Sequence, residues 1–229
     1  MMRLFLVSFW LLTFAARGDM VIVQHVDGMG QHSDMSIKIK GSLVRTDVSP
    51  EVSTITDGDS GEVTTLMHQQ KMYMKIPASQ TQELMKNMQK ETAPGSSPAG
   101  APKLQPTGVK EKVNGYDTEK FSTEIAGMKM YYWIAKDFPN YVNVLAQFSR
   151  LQQGGLGAMA KGMSPDPSTF GGMPVKTEVA MGAQKITSTL VSVKEESVDE
   201  KEFLLPADYK AMSVPSFGKP AASPEPSAK

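Results

Sequence analysis

One stretch restricts the fold more than any other. Residues 131–153 read YYWIAKDFPNYVNVLAQFSRLQQ and are followed by Gly154 and Gly155. Tyr141, Val144, Leu145, Phe148 and Leu151 recur at the spacing of one face of a 3.6-residue helix, with Asn143, Gln147 and Arg150 on the other side. The spacing predicts a helix over 140–153, capped by Asp137, with Pro139 in its first turn and the glycine pair ending it. Nearly all of the remaining chain alternates as strand. A lone helix with one apolar stripe then has to be covered by sheet, which makes the fold α+β.

The address is written at the start. Arg3 precedes an apolar run, LFLVSFWLLTFAA at 4–16, that is too short to span a bilayer. We read residues 1–18 as a cleavable secretory signal, cut after Gly18 or after Ala15. Cysteine is absent, which removes disulfides, thiolate metal sites and lipidation at an N-terminal cysteine. The expected location is periplasmic or secreted, with no transmembrane segment after cleavage. Lys+Arg 24 balance Asp+Glu 24, so no electrostatic case exists for nucleic acid.

From Met20 the pattern alternates: Met35, Ile37 and Ile39 point one way, Ser36, Lys38 and Lys40 the other. Strands follow at 43–48, 52–56, 62–68 and 71–76, with Asp57-Gly58-Asp59-Ser60-Gly61 as a hairpin turn. Ser79 and Gln82 suggest the capping pair of a short helix over 79–89. Residues 92–108 are rich in Pro, Gly, Ala and Ser and read as a flexible insert. Asn114-Gly115 is a hairpin signal, residues 154–172 read as a long Gly/Met-rich loop, and 175–181 with 185–195 form a further hairpin. The FLLPADY stretch is expected to dock back on the sheet, and 213–229 to be a disordered tail. One domain over 19–212 results.

Chemistry is sparse. Three histidines, no cysteine and no nucleophile motif point away from an enzyme. Asp57–Gly61 lacks the later ligands of a calcium loop, and Gly154-Gly155-Leu156-Gly157 follows a helix rather than a strand, unlike a phosphate cradle. Methionine is abundant, at 17. His25/Met29, His32/Met35, His68/Met72 and the pairs Met72/Met74 and Met128/Met130 carry donors suited to Cu(I), but four strand residues span about 13 Å. No metal ligand and no cofactor is therefore assigned. Methionine also suits apolar surfaces that accept varied ligands.

The segments SIKIKGSLVRTD, TDGDSGEVTTLMHQQKMYMKIP, VNGYDTEKF, YYWIAKDF and KITSTLVSVKEE, with FLLPADY, resemble an exported bacterial family known only as a domain of unknown function (DUF 4412), over roughly residues 20–212. The layout is more remotely similar to the LolA/LolB lipoprotein-carrier superfamily. That resemblance implies a curved antiparallel sheet, a half-barrel, wrapped around the main helix over an apolar cavity with a basic residue near its lid. Arg45 is the nearest candidate for that lid residue. The expected apolar cleft is lined by Met35, Ile37, Ile39, Met72, Met74, Trp133, Tyr141, Leu145 and Phe148, with 154–172 as a mobile lid. The expected function is non-enzymatic binding or carriage of an apolar, lipid-like ligand. The alternatives are an envelope structural or interaction module that meets a protein partner, or a Met/His-based Cu(I)-binding protein.

Overall fold

The computed structural model describes residues 18–28, 31–80, 102–125, 128–151, 165–182 and 184–212. The signal at 1–17, the helix expected over 79–89 beyond its first residues, 92–101 of the insert, 152–164 of the long loop and the tail 213–229 lie outside them. No described helix is long and apolar enough to cross a membrane.

Twelve strands are described: β1 Met20–Gly28, β2 Gln31–Lys40, β3 Leu43–Ser49, β4 Val52–Asp57, β5 Val63–Met67, β6 Met72–Ile76, β7 Gln105–Val113, β8 Tyr116–Ile125, β9 Met128–Ala135, β10 Met173–Met181, β11 Gln184–Glu195 and β12 Lys210–Ala211. They form one sheet in the order β12-β6-β5-β4-β3-β2-β1-β11-β10-β9-β8-β7. The two meanders that the turn signals imply are fused where β1 pairs antiparallel with β11. Every other pairing is antiparallel too, except β12 on β6. Strand β7 begins inside the segment expected to be a flexible insert, because Gln105 and Pro106 find partners in Ser122 and Phe121.

Directly opposed residues of an antiparallel pair share a face, so the register sorts the side chains. One face carries Met20, Ile22, Ile37 and Ile39 of the central hairpin, continued by the row Ile37, Thr46, Thr54, Thr65 and Met74. The other carries the row Lys120, Trp133, Lys176, Thr189, His25 and Asp34. Both faces are partly buried, for different reasons.

The first face bears helix α1, Tyr141–Leu151. Val144 and Leu145 are buried, and Tyr141 and Phe148 pack on the same cluster as Met20, Ile22, Ile37 and Ile39. The start of the helix differs from expectation. Asn140, at φ 57°, sits at the cap position and its carbonyl accepts from Asn143 N at 3.1 Å and Val144 N at 3.3 Å. Asp137 and Pro139 therefore precede the helix. Asn tolerates this left-handed backbone better than most residues, and its side chain accepts from Asn143 Nδ2 at 2.8 Å.

The segment expected as a mobile lid is anchored at its described end. A 3-10 turn at Pro167–Thr169 is capped by Asp166, and Phe170 packs on the Tyr132 ring with centroids 5.1 Å apart. Gly172 then passes against β9. A Cβ there would lie 2.5 Å from the Ala135 carbonyl oxygen, which is backbone and cannot swing aside. Gly172→Ala is expected to destabilise by about 2–3 kcal/mol, the upper part of the overpacking range. A urea denaturation curve that moves by less than a quarter of this would refute the close approach.

The second face of β1–β6 is covered by the chain after β11. Val198 and Phe203 pack with Ile55 and Leu66 in a separate core, and Lys40 Nζ donates to the Val198 carbonyl at 2.8 Å. This is the docking expected of the FLLPADY stretch, although Leu204 and Leu205 themselves stay exposed. Asp19 joins the same corner, accepting from Lys40 Nζ at 2.9 Å and Val198 N at 3.0 Å.

Candidate functional site

Five of the nine residues expected to line a cleft do share one face. The row through Ile37 contains Met74, and Met35, Ile39 and Met72 alternate onto the same side. They are not equally packed. Ile39 is 3% exposed and lies in the main core, whereas Met35, Met72 and Met74 are half-buried and belong to neither packed cluster. With Met67 and Ile76, Met72 and Met74 form a half-buried apolar strip on β5 and β6, on the face that carries α1. Tyr141, Leu145 and Phe148 stand in the core beside Ile37 and Ile39.

Trp133 belongs to the same buried cluster as Leu145, with Tyr141 and Phe148 packed against it, but it enters from another row of the sheet. Its row contains His25, which is opposite in parity to Gln24 and Met35, so Trp133 and Met35 fall on alternate sides of β1. It is buried to 3% exposure, with the Lys120 and Lys176 ammonium groups 4.5 and 4.2 Å from its ring centroid. The sequence signal was misleading because YYWIA buries both faces of β9, so apolarity alone cannot assign a side. Its indole N–H has no acceptor among the described residues.

Arg45 is likewise misplaced as a lid. Its Nε donates to Asp47 at 2.7 Å and its Nη1 to the Glu202 carbonyl at 2.8 Å, so the guanidinium holds the C-terminal strap against β3. Lys38 Nζ adds a 2.9 Å contact to the Glu202 carboxylate. Burial pushes the Asp47 carboxyl up, but hydrogen bonds from Ser53 and Arg45 outweigh it and hold the group below the usual carboxylate range.

Behind this cluster lie a serine, a histidine and an aspartate in an order unlike that of a hydrolase. Ser53 Oγ donates to Asp47 at 2.6 Å and is 2.7 Å from His68 Nε2, while His68 Nδ1 is 2.6 Å from the Tyr209 hydroxyl. A nucleophilic serine must give its proton to the imidazole, which the carboxylate orients from the far side. Here the proton goes to the carboxylate. His68 bridges the chain, with Nε2 on Ser53 and Nδ1 on the Tyr209 hydroxyl. Ser53 is 1% exposed, so this is a buried polar network that ties β4 and the end of β5 to the strap.

Three surface cavities of about 450, 420 and 380 Å³ are described. The first is an open groove among Lys110, Lys112, Glu119 and Lys136, with Ile134 in its wall, and charged groups ring it. The third lies between the start of α1 and β11, lined by Tyr116, Phe138, Val144, Leu190 and Val193. It shares none of the nine residues expected to line the cleft. Its shape depends on the β7–β8 hairpin, since Asn114 Nδ2 donates to the Leu190 carbonyl at 2.7 Å. In a flat sheet three strand spacings, about 14 Å, would separate β8 from β11, so the sheet is rolled at this end.

Two of the three histidine–methionine pairs are not brought together. His32 and Met35 are three apart on β2 and point to opposite faces, and His68 is engaged by Ser53 and Tyr209. Met29 lies outside the described residues. What sequence reasoning missed is a histidine–aspartate square on the same hairpin. His25 opposes Asp34, and Asp27 opposes His32. His25 Nδ1 lies 2.7 Å from Asp34 and its Nε2 lies 3.5 Å from Asp27, which also meets His32 Nδ1. The hydrogen bond that His25 donates to Asp34 raises the His25 pKa above its ordinary value, and the hydrogen bond that His32 donates to Asp27 lowers that of Asp27. The available signal was H-x-D written twice, at 25–27 and 32–34, across a tight hairpin.

Comparison with solved structures finds distant likenesses. LppX of Mycobacterium tuberculosis is 12% identical, with 78% of this chain and 88% of that one covered and a TM-score of 0.40. LprF of Mycobacterium bovis is 11% identical, with 85% and 92% covered and a TM-score of 0.36. PNGF-II is 11% identical at a TM-score of 0.39, and this chain spans only 30% of it. At such scores these likenesses carry no argument about ligand or mechanism. No curated protein matches the chain. The family profile is a different matter, because its match runs from residue 17 through the strap to 209 and so takes in β1–β11, α1 and both cores: the chain belongs to the DUF4412 family, a domain of unknown function.

Proposed function

We propose that this protein is an exported, non-enzymatic carrier that binds an apolar, acyl-like ligand in the cell envelope. The ligand would lie along the methionine strip beside α1. The observation that carries this reading is the half-buried set Met67, Met72, Met74 and Ile76, on the helix-bearing face yet outside both packed cores. Thioether side chains adapt to ligands of varied shape, and each buried methylene of an acyl chain contributes about 0.8 kcal/mol. The rolled sheet around one helix supports a half-barrel of the LolA/LolB kind, open where the strip is exposed. The signal expected at 1–18 places the mature chain in the periplasm or outside the cell.

Strand β7 is a poorer docking surface than its edge position suggests. It carries Pro106, Lys110 and Lys112, residues that discourage addition of another strand. An apolar small ligand is therefore favoured over a strand-donating protein partner.

Native mass spectrometry of the chain, exported to a bacterial periplasm and purified without detergent, tests the reading. A heterogeneous lipid-sized adduct is expected, lost on organic extraction and regained with added fatty acid. Met72→Glu combined with Met74→Glu should weaken uptake at least tenfold without unfolding the sheet. A bare mass before and after incubation with fatty acid would overturn the carrier and leave an interaction module of the envelope.

A further inference from the structure

We infer that the β1–β2 hairpin holds a divalent transition-metal ion between His25, Asp27 and His32, with Asp34 orienting His25. The inference is independent of the carrier reading, because this square lies on the face opposite the methionine strip. One nitrogen of each histidine and one carboxylate oxygen of Asp27 lie within 4.8 Å of one another. Four-coordinate zinc with bonds of about 2.1 Å sets its ligand atoms roughly 3.4 Å apart, a spacing His25 and Asp27 already have, so Asp27 and His32 need to separate slightly and the two imidazoles to close by at most about 1.4 Å. Half-exposed side chains on neighbouring strands can do so by small torsional changes.

The pairing geometry supplies what an arbitrary surface pair lacks. Asp27 and His25 are two residues apart on β1 and therefore on one face, and His32 stands directly opposite Asp27. Asp34 engages His25 Nδ1, which leaves Nε2 directed at Asp27. A carboxylate on the far nitrogen is the usual outer support of a metal-bound imidazole, fixing its tautomer and raising its basicity. The ion would replace the proton now shared by Asp27 and His32. With both imidazoles neutral, the two carboxylates balance a doubly charged cation. Two imidazoles and a carboxylate suit Zn²⁺, Ni²⁺ or Cu²⁺, with Cu²⁺ bound most tightly among them. Water completes the coordination.

The test is equilibrium dialysis of the tag-free chain against Zn²⁺ alone at pH 7.4, with metal read by mass spectrometry. One equivalent per chain is expected at micromolar free zinc. His32→Ala, whose side chain is 74% exposed and free to change without touching the core, should weaken binding at least tenfold. Asp34→Asn should weaken it 10–100-fold, the range for loss of an orienting partner, whereas Asp117→Asn on the distant hairpin should leave it unchanged. With Cu²⁺, electron paramagnetic resonance should show two nitrogen couplings in the parent chain and one in His32→Ala. Failure to reach one saturable equivalent below about 100 micromolar free zinc, which corresponds to roughly −5.5 kcal/mol of binding free energy, would overturn the site. So would equal binding by the His25→Ala/His32→Ala double variant.

Discussion

Trp133→Ala is expected to remove about 3–5 kcal/mol of stability, the range for emptying a buried aromatic site. Trp133 is 3% exposed and fills its side of β9 beneath the ammonium groups of Lys120 and Lys176, which lie over its ring. The lysines cannot close over an alanine, because an ammonium group does not fill an apolar cavity without losing its hydration. Each lysine would also lose its contact with the ring quadrupole, which adds roughly 0.5–1 kcal/mol at a partly exposed site. Equilibrium urea denaturation measures the effect, and a loss below 1 kcal/mol would show that the indole does not hold the face together. Because Trp133 and Met35 stand on opposite faces, the folded fraction of this variant should take up fatty acid as the parent does. A selective loss of uptake would move the tryptophan back to the cleft.

Arg45→Ala should cost about 3 kcal/mol, the lower end for breaking a buried ion pair. The low end applies because Asp47 keeps 26% of its side-chain surface in solvent. The variant leaves Asp47 with Ser36, Ser53 and Lys38 as partners and strips the Glu202 carbonyl of its donor. The strap should then lift first, exposing amides near Phe203 to hydrogen exchange before the central strands open. The pH dependence has a definite sign. The folded-state pKa of Asp47 is depressed, so its contribution is fully present above the unfolded carboxylate value, near 3.9, and is lost as pH falls through the folded value. Arg45→Ala removes part of that depression, so its penalty should be larger at pH 7 than at pH 3. A penalty independent of pH would mean that Arg45 acts by packing alone.

Strand periods, hairpin turns and the helix stripe are local properties, and they were legible in the residues themselves. Ile37 and Ile39 alternate against lysines, Asn114-Gly115 turns a hairpin, and Tyr141, Val144, Leu145 and Phe148 fall on one side of α1. The absence of cysteine and the apolar start likewise need no fold to be read. Asn140 shows where local reading ends. Asp137 and Pro139 are good helix-start residues, but the chain does not turn helical until the tertiary position of β9 allows it.

Which strands neighbour each other, and hence which face a side chain occupies, was decided only by the assembled sheet. The pairing of β1 with β11 joins residues more than 150 positions apart, and no local pattern specifies such a contact. Trp133 and Met35 are both apolar strand residues, yet the assembled register puts Trp133 in the row of His25 and Met35 opposite Gln24, on alternate sides of β1. Arg45 looked like a free cation because its partners, Asp47, Ser53 and the Glu202 carbonyl, converge from three segments. The histidine–aspartate square is the intermediate case: its spacing was written in the sequence, but only the antiparallel register of β1 and β2 turns two H-x-D triplets into four groups around one point.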